Sequence, residues 1–514
     1  MELMVSGSGL TVHDVEMVAR GSVTVRLSAE AEARISSCRE MLERKLQHGE
    51  IMYGVNTGIG ELAEVVLDAR QLEDFQKYLI FNHAAGIGEP FPVEIVRAAM
   101  LGRINVHAKG HSGGRPAITR MLCAMLSAEV TPVVCSKGSV GACGDLAPMS
   151  QIALAVMGEG EVFYKGQRLP AGEGLRRAGL QPEVLRPRDG LCLINGSNVI
   201  LGIGCLAICD IERVLKEAEI AAAMSIEALI GNMKPFDLRL HRLRGFPGAV
   251  VSASNLRRCF EDGDLLSGRH KVRVQDAYSM RSTPQVIGAA RDTLRHAREQ
   301  LEIELNGVCD NPIFLPAEDT VLTGANFQGT PISLPLDVLG STVAMVCVLS
   351  ERRLNRLLNP ALSQGLPSFL TKGAGMFSGL MLSQYTSGML TVEQKLLSTP
   401  AYIQSVPAAA DQEDFVSMGM NSALKTRQIL ENACGVLGIE LLAAAQGVDF
   451  RDYRMGRGTR AAHAAVREVV AHLDEDRPLF RDHNAIMQAM ARHQILDAVE
   501  RELGPLASYP QDLG

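Results

Sequence analysis

The chain has no tryptophan, and aromatic residues make up only 4% of its 514 residues. Surfaces that bind nucleic acid by stacking need aromatic faces within a basic field. Here the formal net charge is −7, from 51 basic and 58 acidic residues. Neither nucleic acid nor an anionic membrane is therefore an expected partner. No basic stretch precedes an apolar run in the opening MELMVSGSGL, so the pattern of a secretory signal is missing. No uninterrupted run approaches the roughly 18 apolar residues of a membrane span. The apolar stretch 341–349 is halted by Glu351, Arg352 and Arg353. Eleven cysteines, odd in number and without a CxxC pair, read as reduced thiols, and the chain is expected in the cytoplasm. The twelve histidines include no HExxH, and no metal site is expected. His107 and His111 lie four apart, but Gly110 and the turn residues after it put them in a loop. Cys205 and Cys209 share that spacing in a helical stretch without accompanying ligands.

What is present is a globular composition, 46% hydrophobic and 21% charged. The chain is too long for one ordinary core, so several lobes or one long helical body are expected. Residues 1–110 mix short elements with helices, including an amphipathic helix over 30–48. The segment 50–64 is rich in glycine and reads as a loop of the kind that surrounds ligands. EVFYKGQRL, with Lys165-Gly166 at its centre, predicts a small hairpin. From about residue 196 the helical patterns lengthen: 200–229, 285–306, 336–358, 379–397 and 414–445 carry no internal proline. Helices of that length, apolar on several faces, pack in bundles and often across subunits. The expected fold is mainly α, with a long central helical bundle, a smaller mixed N-terminal region over 1–110, a helical body over 111–514, and minor β hairpins.

Residues 137–150 read KGSVGACGDLAPMS. On spacing alone this is a glycine-rich turn leading into a helix, with Asp145 as the N-terminal acid and Pro148 in the first turn. It is no phosphate loop, because the lysine precedes the glycines and no GK[ST] follows.

The same residues closely resemble the signature of the aromatic amino acid ammonia-lyases, G-S-x-G-A-S-G-D-L-x-P-L. The likeness extends in order along the chain, through YGVNTGIG (53–60), NHAAGIGEP (82–90), LINGSN (193–198), VQDAYSMRSTPQV (274–286), NGVCDNP (306–312), GANFQGTP (324–331) and ADQEDFVSM (410–418). In that family the tripeptide cyclises into 4-methylidene-imidazol-5-one, and the resemblance implies the same group from Ala142, Cys143 and Gly144. Cysteine stands here where the family carries serine. Closure joins the Gly144 nitrogen to the Ala142 carbonyl carbon, which a tight turn without a side chain at 144 permits. The β-substituent of residue 143 then leaves, as hydrogen sulfide in place of water. A buried structural cysteine that never cyclises is the alternative reading of Cys143.

The resemblance also implies roles. Tyr53 would be the β-proton base, its phenol pKa lowered by nearby positive charge. Tyr278 joins the catalytic group. Arg281 would clamp the substrate carboxylate through its guanidinium fork. Asn195 and Gln275 would surround the electrophile and the carboxylate, and Phe327 would pack on the prosthetic ring. His83, Met381 and Glu413 resemble the pocket of the histidine enzymes, since a carboxylate suits an imidazole N–H and is costly against a phenyl ring. NFQGTP and Phe415, by contrast, resemble the phenylalanine enzymes. The implied reaction is elimination of ammonia from L-histidine to urocanate, by a homotetramer whose sites are built from three chains. Three other readings stand beside it: a tyrosine or phenylalanine ammonia-lyase or aminomutase; an ergothionase-like lyase, whose trimethylamine leaving group needs no electrophile; and a pseudoenzyme that binds a histidine-like ligand.

Overall fold

A computed structural model describes residues 1–269 and 273–513. The chain is mainly α-helical, and its β content among the described residues is four sheets of two or three strands. The helix expected over 30–48 spans Ala29–Gln47. Ser28 accepts from the Ala31 N–H at its start, with Glu30 and Glu32 in the first turn and Arg44 and Lys45 in the last, so both ends match the helix dipole. It buries Ile35, Cys38, Met41 and Leu42. The expected hairpin pairs Glu161–Tyr164 with Gln167–Pro170, antiparallel. Lys165 and Gly166 both take positive φ, the turn that matches strand twist.

By contacts the chain divides into two units. The first comprises Met1–Cys209, Ala297–Asp337 and Pro400–Leu424; the second comprises Asp210–His296, Val338–Thr399 and Lys425–Gly514. All four sheets belong to the first. The long helices are Asn198–Ala228, Thr283–Leu305, Thr330–Leu358, Met381–Leu397 and Gly419–Val448. In the second unit Ala218, Ala221, Ala222, Ala223 and Ala228 are all fully buried, as expected of a helix apolar on every face. There Glu440 pairs with Arg353, both at 0% exposure, and accepts from the Ser225 hydroxyl at 2.7 Å, which joins three of the long helices.

Several expectations change. His107 lies inside the helix Val93–Ala108, fully buried, because that helix runs to within two residues of Gly110. Burial pushes its imidazole down to about 3, so it stays neutral. Thr330–Leu358 begins six residues before the expected start and accommodates Pro335. Gly419–Val448 begins five residues later than expected, since Met418, just before it, holds positive φ. Finally, Thr330–Leu358 and Gly419–Val448 are long and apolar enough to cross a membrane by length and composition. Counting uninterrupted apolar residues missed them, because scattered small polar residues break the runs. Their most apolar windows are 61% and 83% buried, as in helices of a protein core.

Candidate active site

The tripeptide sits at the tip of a strained turn in the first unit. Gly141, Cys143 and Gly144 all have positive φ, at 85°, 49° and 80°, and Gly141 pairs with Gly144 across the turn. For cysteine this conformation is uncommon and marks a site held by its surroundings. Those surroundings are the Gly196 backbone and Ser417. A Cβ at Gly144 would lie 2.2 Å from the Gly196 carbonyl carbon, and one at Gly141 would lie 2.1 Å from Ser417 Oγ. The Gly196 N–H donates to the Cys143 carbonyl at 3.2 Å, and the Asp145 N–H donates to the Gly196 carbonyl at 2.8 Å. The Met418 N–H donates to the Val140 carbonyl at 3.0 Å.

Asp145 does more than start the helix Leu146–Val156. Its side chain makes no cap bond on that helix. Oδ2 instead accepts the Val199 and Ile200 N–H groups, at 2.9 and 2.8 Å, while Oδ1 accepts from the Ser139 hydroxyl. The acid therefore caps Asn198–Ala228, which begins just after Gly196. Complete burial still pushes its carboxyl up to about 7.

A cavity of about 650 Å³ opens on this turn, lined by Tyr53, Ala142, Cys143, Phe327, Glu413 and their neighbours. The Cys143 thiol donates to Glu413 Oε1 at 3.2 Å. Burial, followed by the facing Glu413 charge, raises the thiol well above its ordinary range. Tyr53 accepts the Gly60 N–H on its phenolic oxygen at 3.0 Å. Its phenol is also raised, first by burial and then by Cys143 and Glu413, with the Gly60 bond and Arg188 opposing. The expected lowering is thus reversed within this chain, first because burial disfavours the phenolate, and then because the cavity lining holds carboxylates and no lysine or arginine.

The second unit has its own cavity of about 540 Å³, lined by Gln275, Tyr278 and Arg281 together with Lys234 and Arg244. The Arg281 guanidinium lies 4.7 Å over the Tyr278 ring. Arg281 Nε is buried without a hydrogen-bond partner. A buried guanidinium N–H left in that state calls for an acceptor.

A family model of aromatic amino acid lyases matches residues 10–468. The histidine ammonia-lyase of Alkaliphilus metalliredigens is 43% identical over 501 residues, which is 97% of this chain and 99% of that one. The chain belongs to the aromatic amino acid lyase family. It is a carbon–nitrogen lyase. Among solved structures, a tyrosine aminomutase from Streptomyces globisporus superposes with a TM-score of 0.94 at 36% identity, covering 99% of this chain and 100% of that one. The ergothioneine-degrading ergothionase of Treponema denticola also reaches 0.94, at 27% identity, covering 97% and 100%.

In this aromatic amino acid lyase the expected site residues fall into groups. Tyr53, Ala142, Cys143, Phe327 and Glu413 share one cavity, with Gly144 in the turn behind it. Gln275, Tyr278 and Arg281 share the other. Asn195 is buried and lines neither; its Nδ2 donates to the Asn311 carbonyl at 2.5 Å, and its Oδ1 has no hydrogen-bond partner. His83 ends the helix Ala69–His83, its Nδ1 bonded to the Leu79 carbonyl, outside the cavity lining. Met381 starts the helix Met381–Leu397 and does not line its unit's cavity. Sequence reasoning missed Arg103 and Arg188, and it quoted Gly196 within LINGSN and Asp310 within NGVCDNP without giving either a role. One group among the described residues could hold a metal, His13, Glu16 and Cys209, and it belongs to neither cavity.

Proposed function

We propose that this lyase eliminates ammonia from L-histidine to give urocanate, using an electrophile cyclised from Ala142, Cys143 and Gly144. The observation that carries the reading is the turn: Cys143 held at positive φ beside a glycine that admits no Cβ, its thiol facing Glu413 in a cavity shared with Tyr53 and Phe327. These residues fit 4-methylidene-imidazol-5-one, which supplies an electrophilic carbon for the substrate amine. Tyr53 takes the β-proton, Phe327 packs beside the turn, and Glu413 accepts the imidazole N–H. The 43% identity to a histidine ammonia-lyase supports the choice of substrate.

The two cavities carry opposite charge. Glu64, Glu413 and Asp414 line the first without a basic residue; Lys234, Arg244 and Arg281 line the second without an acidic one. Arg281 would take the substrate carboxylate through its guanidinium fork. The complete site is proposed to form between copies of the chain in a homotetramer. Leu382, Tyr385, Met389, Val392 and Leu396 support this. They repeat at spacings of three and four along Met381–Leu397 and are 47–72% exposed, an apolar stripe that a second copy would cover. No nucleic acid, membrane or metal is part of the proposal. The proposed compartment is the cytoplasm, in keeping with eleven free thiols.

A second reading, a tyrosine or phenylalanine lyase or aminomutase, is favoured by Gln328 and Phe415 in the same cavity. Absorbance assays that follow urocanate, coumarate and cinnamate separately, with chromatography for β-amino acids, decide between them. The highest kcat/KM is expected on histidine. Faster turnover of tyrosine or phenylalanine would replace the first reading with the second.

A further inference from the structure

Arg103 lies inside the helix Val93–Ala108 with its side chain at 0% exposure. Its guanidinium is gripped on every side. Nε donates to the Cys192 carbonyl at 2.6 Å, Nη1 to the Asn195 and Cys309 carbonyls at 2.8 and 2.9 Å, and Nη2 to Asp310 Oδ2 at 2.5 Å. The other oxygen of Asp310 is taken by Arg188 at 2.7 Å, also fully buried. One side chain thus ties its helix to the C-terminal end of the helix Asp189–Ile194, at Cys192 and Asn195, and to the loop 309–310. A lysine, with a point charge and no fork, could not bridge them all.

Gly196 lies directly against this guanidinium. A Cβ there would sit 2.8 Å from Arg103 Nη1 and 2.7 Å from the Cys309 carbonyl oxygen. On its other side Gly196 meets Gly144 backbone to backbone, with the two hydrogen bonds to Cys143 and Asp145 described above. Arg103, Gly196 and Gly144 form three layers in contact, with no side-chain atom between the glycines.

We propose that Arg103 is the positioning residue for ring closure: it braces the Gly196 backbone against Gly144 and keeps the Ala142–Gly144 turn closed. This rests on the reading that the tripeptide cyclises. Closure forms the bond from Gly144 N to the Ala142 carbonyl carbon. The Ala142 oxygen leaves as water with the amide hydrogens of Cys143 and Gly144. The Cys143 Cβ–Sγ bond then breaks, and sulfur leaves as hydrogen sulfide with its own hydrogen and that of Cys143 Cα. No oxidant is consumed. An amide nitrogen is a poor nucleophile, so the rate depends on how long the two atoms are held together, and displacements of about 1 Å can cost about a hundredfold.

The test follows intact mass through time after synthesis, in folded protein of wild type, Arg103→Lys and Gly196→Ala, with circular dichroism and gel filtration as fold controls. Wild type is expected to lose the water and the hydrogen sulfide. Both variants should accumulate as folded, unreacted chains that cyclise at least about tenfold more slowly. Folded Arg103→Lys that matures as fast as wild type overturns the inference. Wild type that never loses the mass overturns the reading beneath it instead, so the two failures are distinct. Hydrogen exchange in Cys143→Ala, which cannot form the group, covers the case in which neither variant folds. The amides of Asp145 and Gly196 should exchange as slowly as the helix Asn198–Ala228, and rapid exchange there would overturn the inference.

Discussion

Glu413→Gln is the substitution that most sharply separates substrate recognition from the common chemistry. The backbone of Glu413 is pinned to Ala408 by two hydrogen bonds, Ala408 N–H to the Glu413 carbonyl at 3.0 Å and the reverse at 3.2 Å. Glutamine therefore inherits the same position and nearly the same shape, and only the charge is lost. A hydrogen bond to a charged group contributes about 1.5–3 kcal/mol, so kcat/KM for histidine should fall roughly 10- to 150-fold. Turnover of phenylalanine or tyrosine, where detectable, should hold or rise, because an apolar ring no longer faces a desolvated carboxylate. Initial rates on the three substrates, with intact mass confirming that the variant has matured, measure both effects. Equal losses on all three would mean that Glu413 serves the scaffold or the shared chemistry, and the histidine assignment would lose its support.

Tyr53→Phe should lower kcat by about 10²–10⁴, the usual weight of a general base, with KM little changed; a variant within a few-fold of wild type would remove Tyr53 from the mechanism. Because Glu413 helps to raise the Tyr53 phenol, the rise of kcat/KM with pH should move to lower pH in Glu413→Gln, and a move to higher pH would contradict the electrostatics. Cys143→Ser should mature to the same final mass as wild type, since the two chains differ only in the group that leaves; a different final mass would exclude loss of the β-substituent. Burial raises the Glu227 carboxyl to about 7 against an ordinary value near 4.5, so the folded state binds the extra proton between those values. Stability from this group is present below about 4.5 and is lost as pH rises towards about 7, at up to about 1.36 kcal/mol per pH unit; denaturant titrations of Glu227→Gln should show a shallower fall over that window, and an unchanged slope would refute it.

The long helices were legible because their patterns run on without internal proline over the expected spans, and Ala29–Gln47 because apolar and charged residues interleave along it. The 161–170 hairpin was legible from Lys165-Gly166 alone. Membership of the family was legible from ordered motifs around Tyr53, Cys143, Arg281 and Glu413. What could not be read depends on tertiary contact. Asp145 looks like the cap of its own helix, yet its side chain caps one that starts more than fifty residues on. His107 falls in a helix because Val93–Ala108 is buried from Ile95 to its end, a burial that no local glycine signal reports. The sign of the Tyr53 shift follows first from its burial and then from the Cys143 and Glu413 groups that face it, neither of which sequence spacing reports. Arg103 is one arginine in a helix until Cys192, Asn195, Cys309 and Asp310 are brought around it.

The central claim is that Ala142, Cys143 and Gly144 become the electrophile, and the intact mass of the purified chain tests it most directly. Loss of one water and one hydrogen sulfide lightens the chain by roughly 52 Da, by atomic bookkeeping on a covalent change. The account predicts that deficit in any preparation that turns over L-histidine, localised by peptide mapping to residues 142–144. A chain of full sequence mass in a preparation fully active on L-histidine would contradict it.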